Sequence, residues 1–310
     1  MLLAGVQVTA FVPDTTLLCI DCQYPHLAAR ALRLSLEQCG YPSVKFLTDD
    51  AASASKLDSR IEFVRIPRIR SAAEYSHFVL KELVRHVDTD FVQIVQWDGY
   101  VVNGGGWSDS FQDYDYVGAR WFFREEGRNV GNGGFSLRSL RLLHALQDPE
   151  IRADGPEDGI ICITHRALLE GEYGIRFAPS SVADRYSFEG APPTFAEFGF
   201  HRVFNFAYLY DAVTLAELLT NVPEAILHSD GMVTFVEILM HLNRELEALS
   251  YARRIRSGDA RVPCLSPQFR EKLDSIIKDL VSRLGAVDID GWQAEDGASN
   301  RALGVEGNSP

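Results

Sequence analysis

Positive charge is scarce in this chain: 30 Lys and Arg stand against 43 Asp and Glu, a formal net charge of -13 at pH 7. A nucleic-acid-binding protein needs a basic footprint for the phosphate backbone, so that class is excluded. Small phosphorylated ligands stay open, because backbone amides or a metal can hold them inside an acidic protein. Long apolar runs are absent too, and no stretch has the length of a membrane span. The opening MLLAGVQVTAFVPD carries no basic leader region and breaks at Pro13, which reads against a signal peptide and for a cytoplasmic protein. Cysteine is sparse, five in 310 residues, with none of the spacing of a secreted disulfide scaffold. Cys19 and Cys22 do form a C-x-x-C, but TTLLCID has strand character, and positions three apart on a strand point to opposite faces. They read as a buried, reduced pair. No internal repeat is found.

What the chain does have is an alternation of short apolar runs with helical patterns. Thr15–Asp21, Val44–Leu47, Phe63–Ile66 and Phe91–Gln96 read as buried strands. Tyr24–Gln38 has helical spacing, with Leu27, Ala31, Leu34 and Gln38 on one face and Gly40 at its stop. Ser71–His86 opens on a capping-box pattern, Ser71-x-x-Glu74, ahead of Phe78, Leu80, Leu83 and Val84. Such an order predicts an α/β fold with a mostly parallel central sheet flanked by helices. From Asn103 to Gly134 glycines and aromatics dominate, with a short strand at Tyr114–Gly118. Val130–Leu137 reads as a glycine turn, and helices follow at Ser139–Leu146 and Asp158–Glu170. After His201 the periodicity is wholly helical: Ala207–Leu219, Met232–Arg256 and Gln268–Leu284. These form a helical C-terminal appendage, and residues 286–310 have the composition of a disordered tail.

Four short groups carry chemistry. The first, Phe91 to Asp98, is an apolar run that ends on an acid followed by Gly99, at the strand end where open α/β sheets bind ligands. The others are Gly131-Asn132-Gly133-Gly134, Pro156-Glu157-Asp158 and Phe198-Gly199-Phe200-His201. Each alone has a complete structural explanation: a turn cap, positive backbone angles, complementing a helix dipole, a satisfied core histidine.

In this order they resemble the GT-A-fold glycosyltransferases, and closely a little-characterised bacterial family grouped with them. That family's pattern is matched here by Gln96–Gly99, then Trp107, Asp109, Phe111 and Tyr114–Tyr116. Gly118-Ala119, Trp121, Val130–Ser139, Pro156–Asp158 and Phe198–His201 continue it. The resemblance covers roughly residues 14 to 205, so the expected organisation is a GT-A-like domain at 1–205, a helical region at 206–285 and the tail.

The resemblance implies transfer of a sugar from a nucleotide-sugar donor, a UDP-sugar first, to a hydroxyl on a glycan, lipid-linked or protein acceptor. It implies Mn²⁺ or Mg²⁺ on an Asp-x-Asp motif, of which Asp98 keeps the last position while Gln96 replaces the first acid. His201 is the expected second ligand. Asp158, with Glu157 next, matches the general base of inverting members, which takes the acceptor's proton. Donor contacts are expected from Asp21, Cys22, Thr48, Asp49, Tyr75, Ser76, Gln96, Trp97, Asp98 and Gly99. Sugar contacts are expected from Trp107, Trp121, Asn132, Gly133 and Gly134. A sugar-phosphate nucleotidyltransferase would want a Gly-rich loop with a basic residue after the first strand, which Asp21–Ala28 lacks. A non-catalytic carbohydrate- or nucleotide-binding protein on a decayed scaffold stays open, because Gln96 stands where an acid is expected.

Overall fold

The structure, a computed structural model, describes residues 10–50, 58–257 and 265–284. The expected tail at 286–310 and most of the opening segment lie outside these residues. Contacts divide the described chain into two compact units, one ending at Arg202 and one from Val203 to 284.

A six-stranded sheet organises the first unit. Its strands are β1 (Thr15–Ile20), β2 (Ser43–Thr48), β3 (Glu62–Arg65), β4 (Phe91–Val95), β5 (Tyr116–Val117) and β6 (Ser136–Ser139), in the spatial order β3-β2-β1-β4-β6-β5. The four strands β3, β2, β1 and β4 run parallel, and β6 lies antiparallel between β4 and β5. Central β1 is buried along its whole length, as a strand covered on both faces must be.

The period-two alternation sorts its side chains. Leu18 and Ile20, with Val92 and Ile94 of β4, enter one apolar cluster, where Phe78, Leu80, Leu142 and Ile161 cover them. Leu17, Cys19 and Val95 enter the other, under Ala28, Leu32 and Leu36. Those three belong to α1 (Pro25–Gln38), whose first turn carries Pro25, where a missing N–H is harmless. Its buried face is Leu27, Ala28, Ala31, Leu32, Ser35 and Leu36, so Leu34 and Gln38 of the expected face are only half-buried. Each fully buried Leu or Ile contributes about 1.5–3 kcal/mol by leaving water.

Other expectations needed correction. The helix over Ser71–His86 is α-helical only in α2 (Ala72–His77); a π-helical turn follows at Phe78–Glu82 and a 3₁₀ turn at Leu83–His86. Ser71 caps it through Oγ, which accepts from the Glu74 N–H at 3.1 Å, while Glu74 reaches back to the Arg70 N–H at 2.7 Å. The glycine turn does not run to Leu137, because β6 starts at Ser136 and feeds α3 (Leu140–Ala145). The helix over Asp158–Glu170 is broken: α4 (Glu157–Gly159) passes into a π-helical turn at Ile160–Thr164, and α5 (Arg166–Tyr173) starts after His165. After α6 (Ser180–Tyr186) a short parallel pair, Ser187–Phe188 with Gly199–Phe200, leads into Glu189 and His201.

The second unit is helical throughout its described part. Its longer helices are α7 (Ala212–Thr220), α8 (Asp230–His241), α9 (Glu245–Arg256) and α10 (Pro267–Leu284). Met232–Arg256 is two helices because Asn243 takes a left-handed φ of 57° between them. The helix expected from Ala207 stops at Tyr210, and Asp211 starts the next by accepting from the Thr214 N–H at 2.9 Å. Among the described residues, no helix is long and apolar enough to cross a membrane.

Candidate functional site

Two parallel strands, β1 and β4, end side by side, and each is followed by an acid, Asp21 directly and Asp98 three residues on. After β4 the backbone closes on itself, Gln96 N–H to Gly99 C=O at 2.9 Å and Gly99 N–H to Gln96 C=O at 3.0 Å, which turns Trp97 and Asp98 out at the strand end. After β1, Asp21 Oδ1 accepts from the Gln23 and Tyr24 N–H groups at 2.7 and 2.6 Å, an Asx turn that launches α1. Burial raises the Asp21 pKa, the two N–H groups oppose that, and the Asp98 charge adds to it, which puts the two carboxylates in one field.

Two adjoining hollows open at this sheet edge. The smaller, about 250 Å³, is lined by Asp21, Cys22, Tyr24, Tyr75, Gln96 and Trp97 among others. Tyr24 and Trp97 meet edge to face there, ring centroids 6.4 Å apart. The larger, about 550 Å³, shares Tyr75 and Gln96 with it and continues past Ser76, Trp121, Asn132, Gly133 and Gly134 to Glu157, Asp158, His201 and Arg202. Gln96 Nε2 donates to the Tyr75 hydroxyl at 3.0 Å, so a side chain just past β4 and one from α2 form the partition between the hollows. Burial pushes the Tyr75 phenol far above its ordinary range, keeping that hydroxyl protonated.

The floor of the larger hollow is a network around His201. Its Nε2 lies 3.3 Å from Gln96 Oε1 and 3.8 Å from Asp98 Oδ1, and its Nδ1 lies 3.8 Å from Glu189 Oε1. Burial alone would lower the His201 pKa, but Asp98 and Glu189 outweigh it and raise the pKa above the ordinary value. Glu189 also takes the Arg202 Nε–H at 2.7 Å and the Asn132 amide. Burial pushes the Glu189 carboxyl up, yet His201 and Arg202 hold it at about 2.

Glycine makes this packing possible. A Cβ on Gly134 would lie 2.1 Å from His201 Nε2 and 2.7 Å from Gln96 Oε1, and one on Gly133 would lie 1.7 Å from Glu157 Oε1. Asn132, at a left-handed φ of 66°, closes the turn by accepting the Gly134 N–H on Oδ1 at 2.9 Å. Its amide is thereby committed to the turn and to Glu189. We predict that Gly134→Ala drives His201 and Gln96 out of place and destabilises the first unit by about 1–3 kcal/mol, the usual penalty of overpacking. Urea denaturation checks it; an unchanged midpoint would show that the turn has slack.

The acidic pair divides its work. Glu157 points beneath Gly133 to Arg138 of β6, Oε1 to Nη2 at 3.1 Å, with both side chains nearly or wholly sealed from water. Asp158 lines the hollow, its Oδ1 accepting the Gly159 N–H at 2.7 Å.

Some expected contacts are not brought to the hollows. Thr48 is fully buried, and its hydroxyl accepts from the Asp50 N–H at 3.3 Å. Asp49 faces Arg68 at 3.8 Å, and neither residue lines either hollow. Trp107 packs edge-on against Phe111 and Phe198, at 5.5 and 5.3 Å, in the cluster on the opposite face of the sheet from the one Trp121 packs against. Trp107 is therefore a packing residue. Asp98 and Gly99 stand behind the hollow wall, touching His201. Cys19 and Cys22 are both free and buried in opposite clusters.

Asp98 and His201 do face each other, but His201 Nε2 is shared with Gln96, and hard divalent ions take mostly oxygen ligands. Among the described residues, no three His, Cys, Asp or Glu stand close enough to hold a metal ion. The described side chains alone do not make a Mn²⁺ or Mg²⁺ cage.

Sequence reasoning passed over Glu189 and Arg202. Glu189 sits in an unremarkable Ser-Phe-Glu-Gly, while Arg202 directly follows the FGFH segment and could have been read with it.

Residues 58–202 match the model of a family described as a protein of unknown function (DUF5672). No curated protein matches the chain. Among solved structures, the apo-form glycosyltransferase GlyE of Streptococcus pneumoniae TIGR4 aligns at 12% identity and a TM-score of 0.39. That alignment covers 61% of this chain and 54% of GlyE, so the match spans about half the length of that protein. A197 from STIV aligns at 15% identity and a TM-score of 0.29, over 54% of this chain and 82% of that one.

Proposed function

We propose that this chain is a nucleotide-sugar-dependent glycosyltransferase of GT-A type that works with inversion, taking a UDP-sugar as donor and a hydroxyl of a glycan, lipid-linked or protein acceptor. One observation carries the reading. A slot flanked by aromatic rings and a sugar-sized hollow adjoin at the carboxyl ends of β1 and β4, with a carboxylate, Asp158, on the far wall. A nucleoside fits the slot that Tyr24, Tyr75 and Trp97 line together, with Asp21 available to its ribose hydroxyls. The donor sugar then extends past Tyr75 and Gln96 into the larger hollow, beside the Trp121 ring.

In this reading Asp158 accepts the proton of the acceptor hydroxyl as the oxygen attacks the anomeric carbon and the bond to the diphosphate breaks. Glu157 cannot take that part, because it is occupied by Arg138. Asp98 and Glu189 fix His201 against the donor sugar from beneath. The resemblance in the sequence and the family match over residues 58–202 both fall on this part of the chain.

The test is a panel of UDP-, GDP- and dTDP-sugars, with Mn²⁺ and with EDTA, read as release of nucleoside diphosphate. Turnover of a UDP-sugar is the expected result. Binding by thermal shift without turnover of any donor would sink the enzymatic reading and leave a nucleotide- or carbohydrate-binding protein. The EDTA arm decides whether the diphosphate can complete a metal shell that the side chains do not.

A further inference from the structure

A nucleotide donor brings a diphosphate into a cleft that is already acidic. Asp21, Asp154, Glu157 and Asp158 line the two hollows, on a chain whose formal net charge is -13. Arg138 neutralises Glu157 from beneath, and the other three carboxylates form no close ion pair with a Lys or Arg among the described residues, Asp158 feeling the Arg202 charge only at longer range. A diphosphate placed there meets repulsion unless a cation faces it.

Among the described residues, Arg202 is the one Arg or Lys in the lining of either hollow. Its guanidinium is gripped from one side only: Nε donates to Glu189 Oε1 at 2.7 Å. Among the described residues, the two terminal nitrogens make no hydrogen bond or ion pair. The side chain lines the hollow and is 58% exposed, while Glu189 is 11% exposed. Glu189 is itself fixed by Asn132 of the glycine turn and by His201. The backbone at Arg202 is left-handed, φ 84°, a conformation that a residue with a Cβ holds only where its surroundings impose it. A planar fork held at Nε and offering two free nitrogens matches the oxygens of a phosphate pair, which a flexible ammonium does not.

We infer that Arg202 binds the diphosphate of the donor, and that Glu189 is the positioning residue that aims its guanidinium into the hollow. This inference rests on the nucleotide-sugar reading above. In it Arg202 supplies the counter-charge to the departing nucleoside diphosphate, and its hold on the anion is present before the sugar bond breaks.

The experiment is calorimetric titration of the full chain with UDP, UMP, uridine and inorganic pyrophosphate, on the wild type, Arg202→Gln, Arg202→Lys and Arg202→Gly. Arg202→Gly suits the left-handed backbone, and its circular dichroism and thermal midpoint show whether the fold survives loss of the side chain. UDP and pyrophosphate affinity are expected to fall about tenfold to a hundredfold in Arg202→Gln and Arg202→Gly, the range of a lost charge-assisted hydrogen bond. Uridine affinity is expected to stay put, and Arg202→Lys to recover part of the loss. A role for Arg202 in folding alone would move all ligands together. UDP bound equally by wild type and folded Arg202→Gln overturns the inference and leaves the nucleotide-sugar reading standing. Pyrophosphate bound through Arg202 with no affinity for any nucleotide keeps the anion site and overturns that reading. A wild type that binds none of the four overturns both.

Discussion

Asp158→Asn is expected to lower turnover about 10²- to 10⁴-fold, the span a positioned general base contributes, with donor affinity unchanged. The substitution keeps shape and keeps Oδ1 as an acceptor for the Gly159 N–H, so the start of α4 should fold as before. What it removes is the ability to take a proton. Kinetics and donor binding must therefore be measured on the same preparation, since the prediction is a split between them. Loss of donor binding along with turnover would mean that Asp158 holds the donor instead, and the base would have to be sought elsewhere. Glu157→Gln is the informative companion. Because Glu157 faces Arg138 beneath the glycine turn, that change is expected to act first on thermal stability.

How far the sequence reaches this picture depends on which residues do the work. Strand ends were legible, since β1 and β4 are largely apolar runs with an acid within three residues of their ends, as central parallel strands read. Of the donor contacts expected from those ends, Asp21, Cys22, Gln96 and Trp97 do meet around one slot. The glycine turn was legible as well, because only glycine admits His201 and Glu157 so near the backbone. Strand β6 was not. It is four residues long, Ser-Leu-Arg-Ser, and its central Arg138 is completely buried, against every rule of apolar patterning. Trp107 misled for the converse reason: an aromatic side chain near a polar segment gives no hint of which sheet face it joins. Glu189 and Arg202 were hidden because their meaning is mutual. Neither sits in a pattern, and only folding sets Nε of one against Oε1 of the other. The helix breaks at His165 and Asn243 fall where the apolar period continues across a change in backbone conformation, which periodicity cannot register.

Arg138→Met should destabilise the first unit by about 3–5 kcal/mol, because it strands a buried carboxylate. Arg138 is fully sealed from water and donates to Glu157 Oε1 at 3.1 Å, Ser136 Oγ at 3.1 Å and the Gly133 carbonyl at 3.4 Å. Its guanidinium carbon lies 5.4 Å from the centre of the Tyr116 ring. Its remaining nitrogen, Nη1, is buried with no hydrogen-bond partner among the described residues, so the pair is not fully compensated for leaving water. The cost of the single change is therefore dominated by the orphaned Glu157, not by the lost attraction. It follows that Arg138→Met combined with Glu157→Leu should recover most of the stability that Arg138→Met alone removes. At about 2–4 °C per kcal/mol for a unit of this size, the single variant should melt roughly 10 °C below wild type. Urea denaturation of both variants gives the free energies directly. A single variant as stable as wild type, or a double variant weaker than the single, would mean that the Arg138–Glu157 contact does not anchor α4 to the sheet. Asp158 would then owe its place on the wall of the hollow to the Pro156 turn and the π-helical segment that follows it.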